Sequence, residues 1–184
     1  MIKTITATAV LVVASTSAMA GDVTGELRWG DKINQYKVEV SETVKTPIAE
    51  IPTAKISGEI ETEQAYKNGA VKSLFNLGVG VPFVRNGYTI TPYAQLGDKI
   101  VTGKTDNVFY GVGAKVSHVI SGPVSAELAY RYRGDFSGAE IAERRLAASV
   151  KYAVDAKQTV SVTAYNYSGS SFDHRFGVGY NYKF

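Results

Sequence analysis

Two histidines, His118 and His174, are where any catalytic reading of this chain has to start. General-base chemistry needs a histidine oriented by a third group, and Asp173 stands next to His174. Neighbours on an extended strand point to opposite faces, so Asp173 cannot hold His174 if both lie on a strand. An enzyme at the rim of the molecule is therefore the remotest reading, and no catalytic residue is assigned. The chain contains no Cys, which removes thiolate metal sites, thiol nucleophiles and disulfides. It has no His-x-x-x-His or Asp-x-Asp-x-Asp-Gly spacing and no Gly-rich phosphate loop between a strand and a helix, so no metal or cofactor is expected. A formal net charge of +3 gives no argument for a nucleic-acid partner.

What chemistry remains lies in charges set at every second residue. Glu26, Arg28, Lys37, Glu39, Lys55, Glu59, Glu61, Lys115, Glu127, Arg131, Arg145, Lys151 and Arg175 all share one phase, and the residues between them are apolar or small. The last segment shows the pattern most clearly. Phe176, Val178, Tyr180, Tyr182 and Phe184 share one face there, and Arg175, Gly177, Gly179, Asn181 and Lys183 the other.

A period of two predicts strands over 23–30, 35–44, 54–63, 74–83, 88–97, 109–119, 124–133, 144–154, 159–167 and 172–184, with eight strands as the alternative to ten. Asn86-Gly87, Ser121-Gly122-Pro123 and 154–157 read as tight turns, and 98–107 and 134–143 as longer loops. The Pro-containing stretch 45–53 reads as a long connector on the tight-turn side. Residues 1–20, with Lys3, an apolar core and the ending Ala18-Met19-Ala20, read as a secretory signal peptide cleaved before Gly21. Residues 21–184 are then one domain.

After the leader no run approaches the length of a membrane helix, so the membrane-compatible structure left is a closed antiparallel up-and-down β-barrel. Trp29, Tyr36, Phe75, Tyr110, Tyr132 and Phe176 fall near one end of their strands on the apolar face. Phe83, Tyr88, Tyr152, Tyr182 and Phe184 fall near the other, with aliphatic residues between. Two aromatic girdles around an aliphatic band are what two lipid–water interfaces select. The charged face then lines the lumen. The pairs Gly78/Gly80, Gly111/Gly113 and Gly177/Gly179 share that face, where a missing side chain leaves room for long ones from other strands.

The strings FNLGVG (75–80), TPYAQLG (91–97), YGVGAKV (110–116) and VSAELAYRYR (124–133) resemble, in order, the strand signatures of the OmpA-like and opacity-type small outer-membrane barrels. The resemblance covers about 74–133, and the hairpin 159–184 goes beyond the usual eight strands of that family. It implies a Gram-negative outer membrane, with outer-membrane lipid and lipopolysaccharide as surroundings. The ending Tyr180-x-Tyr182-x-Phe184 is similar to the signal read by the barrel-assembly machinery, which implies that machinery and periplasmic chaperones as partners. Ten strands lie between a filled interior and an aqueous channel. A narrow, porin-like and weakly anion-preferring channel in a monomeric barrel is the leading functional expectation, with a non-conducting structural or surface-interaction barrel next. Glu26, Glu39, Glu59, Glu61 and Glu127 are expected to pair with Arg28, Lys37, Lys55, Lys115 and Arg131. That leaves Arg133, Arg145, Lys151, Arg175 and Lys183 as the unpaired surplus.

Overall fold

The structure, a computed structural model, describes residues 21–31, 33–65, 69, 71–101, 107–136, 143–169 and 173–184. The leader read at 1–20 and the strand start at Phe172 lie outside these residues. The described chain is built from strands β1 (Gly21–Gly30), β2 (Ile33–Ile48), β3 (Ile51–Ala65), β4 (Val71–Gly80), β5 (Phe83–Arg85), β6 (Tyr88–Val101), β7 (Asn107–Ser121), β8 (Val124–Asp135), β9 (Glu143–Ala153), β10 (Gln158–Ser168) and β11 (Asp173–Lys183).

Consecutive strands pair antiparallel, and β1 pairs with β11 to close the sheet on itself. The short β5 pairs with β6 in the register that β4 has already set, with Gly80 opposite Tyr93 and Phe83 opposite Ile90. β4 and β5 are thus two parts of one stave. They are broken at Val81-Pro82, where proline has no N–H to give the ladder, although Val81 N still donates to Pro92 O at 3.0 Å. Ten staves close the barrel, and the eight-strand alternative falls away.

The stretch 45–53, expected as a long connector, is instead strand on both sides of a two-residue turn, with Ile48 opposite Ile51. Its prolines misled the reading, because the register shifts between Lys45 and Ile48. A bulge tolerates Pro47 where a regular ladder would not. Thr46 Oγ1 supplies bonds in place of the lost ladder, to the carbonyl of Ile51 and, at 3.3 Å, to the N–H of Ile48. The turn at Asn86-Gly87 has positive φ at both residues (51° and 78°), the twist that suits a two-residue hairpin.

Burial is inverted relative to a water-soluble fold. Glu61 and Arg131 are each 1 % exposed, whereas Leu77 is 71 % and Val162 61 % exposed on the outer surface. Charges lie inside and aliphatic residues outside, on alternate positions of the same strands.

Candidate functional site

The upper half of the interior, away from Phe184, is filled by a charged cluster. β1 supplies Glu26 and Arg28, β3 Glu59 and Glu61, β8 Arg131 and Arg133, β9 Glu143 and Arg145, and β11 Arg175. Glu61 is its hub. Oε1 lies 3.3 Å from Arg28, 3.5 Å from Arg131 and 3.6 Å from Arg145, and Oε2 lies 3.7 Å from Arg133. One carboxylate thus faces four guanidiniums, and the last two distances are too long for hydrogen bonds. Glu143 takes some of this charge, at 2.7 Å from Arg131 and 3.8 Å from Arg133. Glu26 pairs with Arg28 at 2.6 Å and accepts from the Tyr165 hydroxyl.

Gln35 ties the cluster together. Its carbonyl oxygen accepts from Arg28 at 3.0 Å and Arg175 at 3.1 Å, and its amide donates to Glu61 at 3.2 Å and Glu63 at 3.0 Å. Aromatic faces cover the remaining cationic surface. Arg28 stands 4.5 Å over Tyr165, Arg133 4.5 Å over Phe109 and Arg175 4.1 Å over Tyr167. The glycine at 177 makes this packing possible, because a Cβ there would meet Glu26, Tyr165 and Arg28.

Toward the Phe184 end the interior loosens. Lys37 sits between Glu39 at 2.7 Å and Glu59 at 2.6 Å, and Asn76 donates to Glu59 at 2.9 Å. Lys151 pairs with Glu127 at 2.6 Å, Lys55 with Asp22 at 2.8 Å, and Lys115 stands over the Tyr93 ring at 5.5 Å. Beneath the cluster is a polar cavity of about 60 Å³. That is room for about four waters.

The structure pairs Glu26 with Arg28, Lys37 with Glu39 and Glu59, and Glu61 with Arg28 and Arg131 as expected, whereas Lys55 takes Asp22, Glu127 takes Lys151, and Lys183 stays exposed at the end of β11. Lys151, Arg133, Arg145 and Arg175, expected as unpaired surplus, all have acids. Lys151 has Glu127, Arg133 has Glu61 and Glu143, Arg145 has Glu61, and Arg175 has Glu63 at 2.8 Å and Asp173 at 2.7 Å. Those acids, Asp22, Glu63, Glu143 and Asp173, stand at or near the ends of β1, β3, β9 and β11. The signal that could have found them is the same period of two, carried one step further along each strand.

Asp173 spends its carboxylate on Arg175 and points inward, while His174 is exposed on the outer row. His118 also faces outward, with Nδ1 3.0 Å from the Gly87 carbonyl oxygen and its ring stacked 4.5 Å from that of Tyr88. The outer surface carries Trp29, Tyr36, Phe75, Phe83, Tyr88, Tyr152, Phe176, Tyr180, Tyr182 and Phe184 as exposed aromatics. Tyr110 and Tyr132 are half-buried there, 6.2 Å apart.

These features define a class: a closed antiparallel barrel with an ionic interior and an apolar exterior. No protein-family model and no curated protein sequence matches the chain. Among solved structures it is similar to the KdgM porin, at 13 % identity and a TM-score of 0.54, covering 89 % of this chain and 99 % of that one. It is similar also to the translocator domain of the autotransporter NalP from Neisseria meningitidis, at 12 % identity and a TM-score of 0.52, covering 94 % and 90 %. The NanC porin is a third, at 14 % identity and a TM-score of 0.51, covering 89 % and 100 %. At these identities the likeness is one of fold.

Proposed function

We propose that the chain is an integral protein of a bacterial outer membrane, a porin-like barrel whose narrow path is held shut by the Glu61-centred ion cluster and opens intermittently to small solutes with a weak preference for anions. One observation carries this reading: the exterior is apolar, and the interior is closed by ion pairs above a polar cavity rather than by apolar packing. Stability does not ask for those charges, since well-packed apolar side chains in place of a buried ionic cluster are often as stable or more so. A charged interior that can rehydrate is of use to a path for polar solutes. Two of the similar structures, the KdgM and NanC porins, favour the same reading. The relation to OmpA-like and opacity-type barrels rests on the strand strings alone.

A second reading, a non-conducting structural barrel, is favoured by the burial of Phe109, Arg131, Arg133 and Glu61, each at most 1 % exposed. Planar-bilayer recordings of the folded barrel across a salt gradient separate the two. Small discrete steps with an anion-directed reversal potential, weakened in selectivity by Arg131→Glu or Lys115→Glu, are the expected result. A silent barrel that is demonstrably folded would leave the structural reading, and cation selectivity would contradict the anion preference.

A further inference from the structure

The outer, apolar surface of the barrel is not uniform. An open groove of about 580 Å³ crosses it from β7 to β11. Its floor is alanine: Ala148 lies opposite Ala164, and Ala126 follows on the neighbouring β8. Its sides are larger, with Leu128 opposite Ala148 and Phe176 opposite Ala164. Alanine ends at Cβ, so the wall is hollow where its neighbours fill it. The four interstrand steps from β7 to β11, at about 4.8 Å each, make a path of about 19 Å. One lipid chain spans about 15 Å, half of a hydrocarbon core of about 30 Å.

At its β7 end the groove meets the stacked rings of Tyr88 and His118, whose centroids are 4.5 Å apart. Nδ1 of His118 donates to the Gly87 carbonyl oxygen at 3.0 Å, which fixes the ring against the hairpin turn. Arg85 lies opposite Tyr88, and Tyr88 opposite His118. Residues directly opposite in a ladder project to the same face, so all three belong to one outward row. Arg85 is exposed and meets no acid among the described residues. A cation with no counter-charge thus stands in the row that opens the groove, beside aromatic side chains of the kind that mark a lipid–water interface.

We infer that the groove is a site for one phospholipid with an anionic headgroup, its phosphate beside Arg85 and one acyl chain lying over Ala126, Ala148 and Ala164. The cation selects the headgroup, because a basic residue at a membrane surface attracts anionic lipid. The apolar floor takes the chain. The row that opens the groove adjoins the Asn86-Gly87 turn, and in small outer-membrane barrels such short turns face the periplasm. The lipid is therefore one of the periplasmic leaflet, a glycerophospholipid rather than lipopolysaccharide. The choice of leaflet rests on the outer-membrane reading proposed above; the binding itself requires no conduction.

Native mass spectrometry of the folded, detergent-extracted barrel tests it, with phosphatidylglycerol and zwitterionic phosphatidylcholine as probes. The barrel should retain one phosphatidylglycerol under conditions that strip phosphatidylcholine. Arg85→Gln should weaken that first phosphatidylglycerol about fivefold, the worth of one cation at an anionic lipid surface, and erase the preference. Ala148→Phe, which fills the groove, should weaken both lipids. Ala94→Phe, the same change on an exposed outer position of β6 outside the groove, should leave both unchanged. Equal retention of the two lipids by the unaltered barrel overturns the inference. So does a first lipid that ignores either Arg85→Gln or Ala148→Phe in a barrel that keeps its heat-modifiable shift, since that is annular lipid only. A dimer that Ala148→Phe splits into monomers also overturns it, by making a second copy of the chain the occupant. A barrel that holds the lipid yet stays silent in the bilayer keeps the site and loses only the channel.

Discussion

Glu61 is the residue on which the interior turns, because four arginines converge on one carboxylate that is 1 % exposed. Removing one partner of a buried ionic cluster leaves uncompensated charge and costs on the order of 3–5 kcal/mol. Glu61→Gln should therefore shift the urea unfolding midpoint of the barrel far more than Glu127→Gln, whose partner Lys151 is 32 % exposed and screened by water. Equal shifts would show that the cluster is not cooperative. Gly177→Ala is a second probe, since its methyl would enter the space of Glu26, Tyr165 and Arg28. Overpacking of this kind costs about 1–3 kcal/mol, and the same urea titration reads it. At this scale the sequence was only half legible. Alternation told which side chains face inward, but partners such as Glu61 and Arg145 meet across the barrel, 84 positions apart in the chain (145 − 61). No local pattern carries that information.

Strands were far more legible than partners, because a period of two is written into each segment independently of its neighbours. In 45–53 proline caused the misreading, because Pro47 and Pro52 suggested a loop where a bulge and the Thr46 hydroxyl keep the hairpin paired, whereas 98–101, expected in a loop, continue β6 paired with β4 and β7. The turn after β9 shows how a connector is held. Asp155 Oδ1 accepts from the N–H groups of Lys157 and Gln158, each at 2.7 Å. The Lys157 N–H above all holds the Asp155 carboxyl below the usual range, with the Gln158 bonds adding to it. A depressed carboxyl pKa stabilises the fold above its unfolded value, and that contribution is lost as pH falls through the folded one. Amide exchange at Lys157 and Gln158 should accordingly speed up at acid pH beyond the intrinsic chemical rate, and Asp155→Ala should remove that dependence. At the seam between β1 and β11, the Phe184 N–H donates to the Gly21 carbonyl at 3.1 Å, and its ring occupies the place a Gly21 side chain would take. Phe184→Ser should reduce the heat-modifiable folded barrel in membranes. Gly21→Val, which crowds the seam and leaves the C-terminal aromatics intact, separates a closing contact from an assembly signal: loss with both variants points to the seam, loss with Phe184→Ser alone to the signal.

For the whole molecule, the β1–β11 pairing leaves no free edge among the described strands, and the apolar exterior then has to meet something other than water. The two ends of the barrel differ. The turns at 49–50, Asn86-Gly87, Gly122-Pro123 and 154–157 all lie at the Phe184 end, and the strand ends Gly30, Ala65, Val101, Asp135 and Ser168 at the opposite one. Small outer-membrane barrels set short turns toward the periplasm and longer connections outside. If the chain sits in an outer membrane as proposed, that rule would turn Phe136 and Ser168 outward and Asn86 and Ser121 toward the periplasm. A chain without cysteine makes the orientation simple to test, because any label must report the residue introduced. Phe136→Cys and Ser168→Cys should react with a membrane-impermeant maleimide on intact cells, and Asn86→Cys and Ser121→Cys only after the outer membrane is permeabilised. Reversed labelling would invert the orientation. Labelling at all four positions on intact cells would mean that the barrel does not span the membrane, and with it would go the path that the charged interior is proposed to provide.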